Sequence, residues 1–129
     1  MANQEVRLGD AVTVLASAAR TATPTVDTFN IVHGSATGCI VIIDCTAIAA
    51  TPSVVFTLQG YDPVSTKVWT LLASAAIVAT GTTILRVSPH LTAAANLIAK
   101  DIMPDSFTMS AVHGDADSIT YSVSVQLVA

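Results

Sequence analysis

The stretch SITYSVSVQLV, residues 118–128, alternates strictly. Ile119, Tyr121, Val123, Val125 and Leu127 fall on one side of an extended chain, and Thr120, Ser122, Ser124 and Gln126 fall on the other. Period two is a strand signature, because a helix would scatter the same residues around its whole circumference. One apolar and one hydroxyl-rich face describe a half-buried antiparallel strand, and the apolar face needs a second layer to cover it. The pattern recurs in SVVFTLQ, where Val54, Phe56 and Leu58 share a face against Val55, Thr57 and Gln59. CIVIID, residues 39–44, is apolar on both faces, which suits a central strand or one covered by a neighbour.

Five further segments, 12–18, 28–32, 67–72, 82–87 and 107–112, are rich in Val, Ile, Thr and aromatic residues, which favour a pleated surface. Turn signals punctuate the chain at Thr23-Pro24, His33-Gly34, Thr51-Pro52, Gly60 to Pro63, Thr80-Gly81, Ser88-Pro89, Met103 to Asp105 and His113 to Asp115. Many short strands between regular turns predict an all-β fold, an antiparallel, jelly-roll-like β-sandwich. LTAAANLIAK, residues 91–100, is the one helix-like segment. Pro89 and Pro104 confine it, so at most one short helix or an irregular loop is expected there. Nothing marks a linker, so residues 1–129 form one domain, with residues 1–11 either an extended N-terminal arm or a strand.

Only 11% of the 129 residues are charged while 52% are hydrophobic. A typical domain carries about 25% charged residues. So few charges leave apolar surface to be covered by other subunits or a partner, and a homo-oligomer is expected, a trimer first. The longest apolar run, residues 71–79, is too short for a membrane span of about 20 residues. The start, MANQEVRLGD, lacks the basic and apolar regions of a signal peptide. Net charge is −4 and the five basic residues are scattered, which argues against nucleic acid as a partner. Cys39 and Cys45, placed in one strand, would lie roughly 20 Å apart. They cannot bridge each other, and they read as buried thiols in a reducing compartment.

Two phrases occur twice. VTVLASAARTAT (12–23) matches WTLLASAAIVAT (69–80) at eight of twelve positions, and VHGSA (32–36) matches VHGDA (112–116). Their common order suggests two pseudo-repeated halves, although the spacing between the phrases differs from one half to the other. In either case the phrases read as structure: small residues permit close approach of a neighbouring backbone, and Gly serves a tight turn.

No constellation of catalytic residues emerges. His113, Asp115 and Asp117 in HGDAD lack the further oxygen ligands of a calcium loop and read as a polar turn. His33 and His90 also adjoin turns. Glu5 is the only glutamate, and there is no nucleophile elbow or glycine-rich phosphate loop. No enzyme activity, cofactor or metal site is expected. Trp69, Tyr61 and Tyr121 are weighed as a sugar platform, but lie in separate segments and read better as core or interface residues.

One stretch resembles a known family. FTLQGYDPVSTKVWTLLASAAIVATGTTILRVSPHLTAAANLIAKDIMP, with the later VHGDADSITYSVSVQL, is similar to small β-rich virion-associated proteins of tailed bacteriophages. The shared pattern runs from QGYDP through a Lys–aromatic–Thr-Leu-Leu strand, ATGT and LTAAAN to ITYSV, over roughly residues 53–127. Cys39 and Cys45 lie outside it. The resemblance implies a structural virion component, assembled in the bacterial cytoplasm, with no catalytic residues to carry over. A decoration or cement protein bound to the major capsid protein is the first expectation; a tail, baseplate or host-glycan-binding module is the alternative.

Overall fold

The computed structural model describes residues 2–32 and 36–129. Among the described residues ten strands form: β1 (Asn3–Val6), β2 (Ala11–Arg20), β3 (Thr28–Ile31), β4 (Gly38–Ile48), β5 (Val54–Tyr61), β6 (Val68–Ala73), β7 (Gly81–Val87), β8 (Ile98–Ala99), β9 (Ser106–His113) and β10 (Ile119–Val128). They make two five-stranded sheets, ordered β1-β3-β9-β5-β6 and β2-β10-β4-β7-β8. The alternating strands face their apolar sides inward. Phe56 of β5 meets Tyr121 of β10 edge-on across the interior at 4.9 Å between ring centres, and Phe29 stacks on Phe107 at 5.3 Å. Such pairs add roughly 0.5–1.5 kcal/mol each beyond the area they bury.

Setting aside β1 and β8, eight strands remain, and their order defines the topology. Taken in chain order, the first, last, third and sixth make one sheet, and the second, seventh, fourth and fifth make the other. All six pairings among them are antiparallel. That is the double Greek key of a jelly roll. The two added strands pair in parallel, β1 on β3 and β8 on β7, so both sheets are mixed at one margin rather than wholly antiparallel. Residues 1–11 therefore contribute a strand, Asn3–Val6, followed by a tight turn in which Asp10 N–H donates to Arg7 O and Gly9 takes a φ of 87°.

LTAAANLIAK forms no helix. Ala94 and Ile98 bond each other's backbone around a turn whose Asn96 sits at a φ of 62°, and the chain then leaves as β8. Among the described residues there is no helix at all. The repeated phrases part company. His33, Gly34 and Ser35 of the first VHG copy lie outside the described residues. The segments flanking the two copies obey a local two-fold relation: β3 is antiparallel to β9 in one sheet, and β4 is antiparallel to β10 in the other. The two Ala-rich copies do not share it. One is β2, at the edge of the second sheet, and the other starts in β6, at the edge of the first.

Folding closes the core within this single chain. The exposed surface is 6405 Å², against about 6,400 Å² for a compact monomer of 13.2 kDa. Much of the hydrophobic composition is alanine on the surface, at Ala16, Ala18, Ala19, Ala47, Ala49, Ala75, Ala76 and Ala79 among others. What distinguishes this surface is its scarcity of charge, rather than unburied core.

Candidate interaction surface

The second Ala-rich copy builds the most distinctive surface feature. β6 stops at Ala73 because Ser74 substitutes for the next ladder bond. Its N–H donates to Phe56 O at 2.7 Å, and its hydroxyl accepts from Phe56 N–H at 3.1 Å and donates to Ala75 O at 2.8 Å. Ala75 and Ala76 then loop outward, and the chain returns to bridge Ile77 with Val54. Across from this loop, the Asn96 side-chain amide donates to Ala73 O at 3.1 Å and pins the Ala94–Ile98 turn against it. Between the two lies an open groove of about 480 Å³, lined by residues 75–79, Thr83 and residues 95–97, with no charged side chain. Val78 is 56% exposed and Leu97 49%. Earlier on β6, Trp69 is half exposed. Its ring lies over Gly60, where a Cβ would stand 2.2 Å from the indole.

The three aromatic residues considered together in the sequence are separated by the fold. Tyr121 is fully buried. Trp69 is opposite Gly60 and Tyr61 opposite Val68 in the β5–β6 ladder, so Trp69 and Tyr61 project from opposite faces.

The first Ala-rich copy stays extended through Arg20. Its pairing with β10 slips twice, between Tyr121 and Val123 and between Val123 and Ser124. Such bulges leave carbonyls without ladder partners and twist an edge strand away from intermolecular pairing. Arg20 collects the loose groups: its guanidinium donates to Ala16 O at 2.6 Å, Ala18 O at 3.2 Å and Tyr121 O at 2.8 Å, and lies 4.6 Å from the centre of the Tyr121 ring. The hydroxyl of that tyrosine is met by His113, whose Nε2 is 2.9 Å from the phenol oxygen. Burial, then Arg20, pushes the His113 imidazole below its ordinary value, against the pull of Asp115. Burial pushes the Tyr121 phenol up, with Arg20 opposing. Sequence reasoning missed this cluster, whose members lie as far as 101 positions apart.

HGDAD is a turn that fastens connections together. Asp115 accepts from Asp117 N–H, Asp117 accepts from the Thr51 N–H and hydroxyl, and His113 N–H donates to Thr23. The carboxyl of Asp62 in QGYDP is held below the usual range by the Ser65 hydroxyl and then the Val64 N–H, inside its own turn. His90 lies just past the β7 end, its N–H donating to Ser88 Oγ. Glu5 is exposed on β1. Cys39 and Cys45 are both free, buried, and on the inward face of β4. Burial pushes Cys39 up to about 12, and it raises Cys45 as well. Among the described residues no group of three or more His, Cys, Asp or Glu is placed to hold a metal ion, and no helix is long and apolar enough to cross a membrane.

Comparison with protein-family models, with curated proteins and with solved structures gives no match.

Proposed function

We propose that this protein is a non-enzymatic structural component of a phage virion, binding the outside of the assembled head through the major capsid protein and reinforcing the shell. The observation that carries the reading is the open, uncharged groove formed by the 75–79 loop, Thr83 and residues 95–97, with Val78 and Leu97 exposed on it. It is built by the very stretch that resembles virion-associated proteins, from QGYDP through LTAAAN. A jelly roll supplies the scaffold: it is a rigid, self-closed sandwich that presents loops and margins to neighbours, and it recurs in capsid and lectin domains alike. Self-association, as a trimer or another closed ring, would set several such flanks side by side on a shell. Many weak contacts repeated by symmetry suffice, at about 25 cal/mol per Å² of apolar area, with each bridge supporting the next.

The glycan-binding form of the tail or baseplate alternative has less behind it, since the candidate aromatic platform is dispersed between core and opposite faces. Particles lacking the protein test the choice. They are expected to assemble, to release DNA at lower temperature than complete particles, and to recover when the protein is added back. Heads of unchanged robustness with failed host adsorption would move the protein to the tail.

A further inference from the structure

The end of the sandwich that carries His113 is fastened by an unusual stack, independent of the groove-bearing flank. Arg20 of β2 lies on one side of the buried Tyr121 ring, and His113, at the end of β9, meets its hydroxyl. The backbone N–H of His113 is tied to Thr23 in the β2–β3 connection. One residue thus joins β9, β10 and the chain just beyond β2.

We propose that the Arg20–Tyr121–His113 stack is a proton-operated latch, closed when His113 is neutral and loosened when it is charged. The partners dictate the chemistry. In the tautomer with hydrogen on Nδ1, neutral His113 accepts the Tyr121 O–H proton at Nε2, and this is the closed form; a charged imidazole carries hydrogen on both ring nitrogens, so the phenol must turn its own proton away, toward the interior in which Tyr121 is buried. Protonation also places a second cation against the tyrosine that Arg20 already contacts, and the three hydrogen-bond acceptors of Arg20 are neutral carbonyls. The charged and titratable groups facing His113 are Arg20 from β2, Tyr121 from β10 and Asp115 from its own turn. Asp117, next along, is engaged by Thr51 of the β4–β5 connection. Only Asp115 favours the charged form. It is exposed, and burial and Arg20 together outweigh it.

The sign is fixed by linkage. With the folded-state value depressed, the latch's contribution is complete above about 6.5, the value of an unperturbed histidine, and is lost as pH falls through the lower folded value. Ring-proton NMR on the intact chain, with His113 assigned by elimination after substituting His33 and His90, should place its midpoint below about 6.5. Hydrogen exchange, corrected for intrinsic rate, should show residues 16–24 and 110–122 losing protection between neutral and acid pH. The loss should be about tenfold for each pH unit separating the His113 midpoint from the unperturbed value. His113→Gln, which keeps an acceptor for the phenol but cannot charge, should hold its protection. A His113 midpoint at or above about 6.5 overturns the latch, as does equal acid loss of protection in His113→Gln and the parent. The NMR arm needs no His113 variant and so stands even if that variant folds poorly.

Discussion

The same phrase, Leu-Ala-Ser-Ala-Ala, has two structures in this molecule. At 15–19 it is a bulged edge strand; Leu15 is partly buried, and Ser17, Ala18 and Ala19 are exposed. At 72–76 it is the end of a strand and the start of a loop; Leu72 is 7% exposed and Ser74 4%, with Ser74 bonded through both its N–H and its hydroxyl. The difference lies in the residues C-terminal to each copy and in the elements that face it. Beyond the first, Arg20 reaches back to the carbonyls of the strand and keeps it extended. Beyond the second, Ile77 finds Val54 and draws the intervening alanines into a loop. Small side chains impose little of their own geometry, so the neighbours decide.

Truncation at the leucines separates the copies most widely. Leu72→Ala should cost about 3 kcal/mol of unfolding free energy, within the range for buried leucines, and Leu15→Ala well under half of that; denaturant melts of the two variants provide the comparison. Equal losses would mean that the copies are equivalent after all. The serines should differ next. Ser74→Ala strands the buried N–H of Phe56 and should cost about 1–3 kcal/mol, whereas exposed Ser17→Ala should stay within about 0.5 kcal/mol of the parent. Gly60→Ala sharpens the reading of the second copy's flank: the new Cβ must displace the Trp69 ring, at a cost of roughly 1–3 kcal/mol. Because the chain has one tryptophan, its emission should shift with the displacement. Smallest in stability, but decisive for assembly, are charges at the exposed groove. Val78→Asp with Leu97→Lys should leave the melt within about 1 kcal/mol of the parent while weakening co-sedimentation with depleted phage heads.

Much of the fold was legible. All eight jelly-roll strands can be read: β5 and β10 from alternation, with Val54, Phe56 and Leu58 or Ile119, Tyr121 and Val123 inward; β4 from a run apolar on both faces; and the other five from β-branched and aromatic content between turn residues, since β2 and β6 each bury a single side chain. β1 and β8 were not, since NQEV and the two-residue IA carry too little pattern and exist by pairing with distant β3 and β7. The Asn96 turn was hidden for a related reason. Leu91, Ala95 and Ile98 mimic a helical stripe, but the docking of Asn96 on Ala73 decides the backbone there. The buried tyrosine gave a partial signal, as an inward phenol needs a partner. Which residues would supply it, His113 and Arg20, is a matter of sheet order that no local pattern contains. The groove was equally invisible, being formed by two loops that meet only in the folded chain.

Reconstitution of phage heads depleted of this protein tests the proposed role most directly. Heads are incubated with the parent chain or with Val78→Asp/Leu97→Lys, and DNA release is monitored on heating. The parent should bind in many copies per head and raise the release temperature, while the double variant, folded to the same melt, should bind weakly and leave the release temperature where depletion put it. Full protection by the double variant would remove the flank from the interface. Heads that neither bind the parent nor gain stability from it would contradict the decoration role itself.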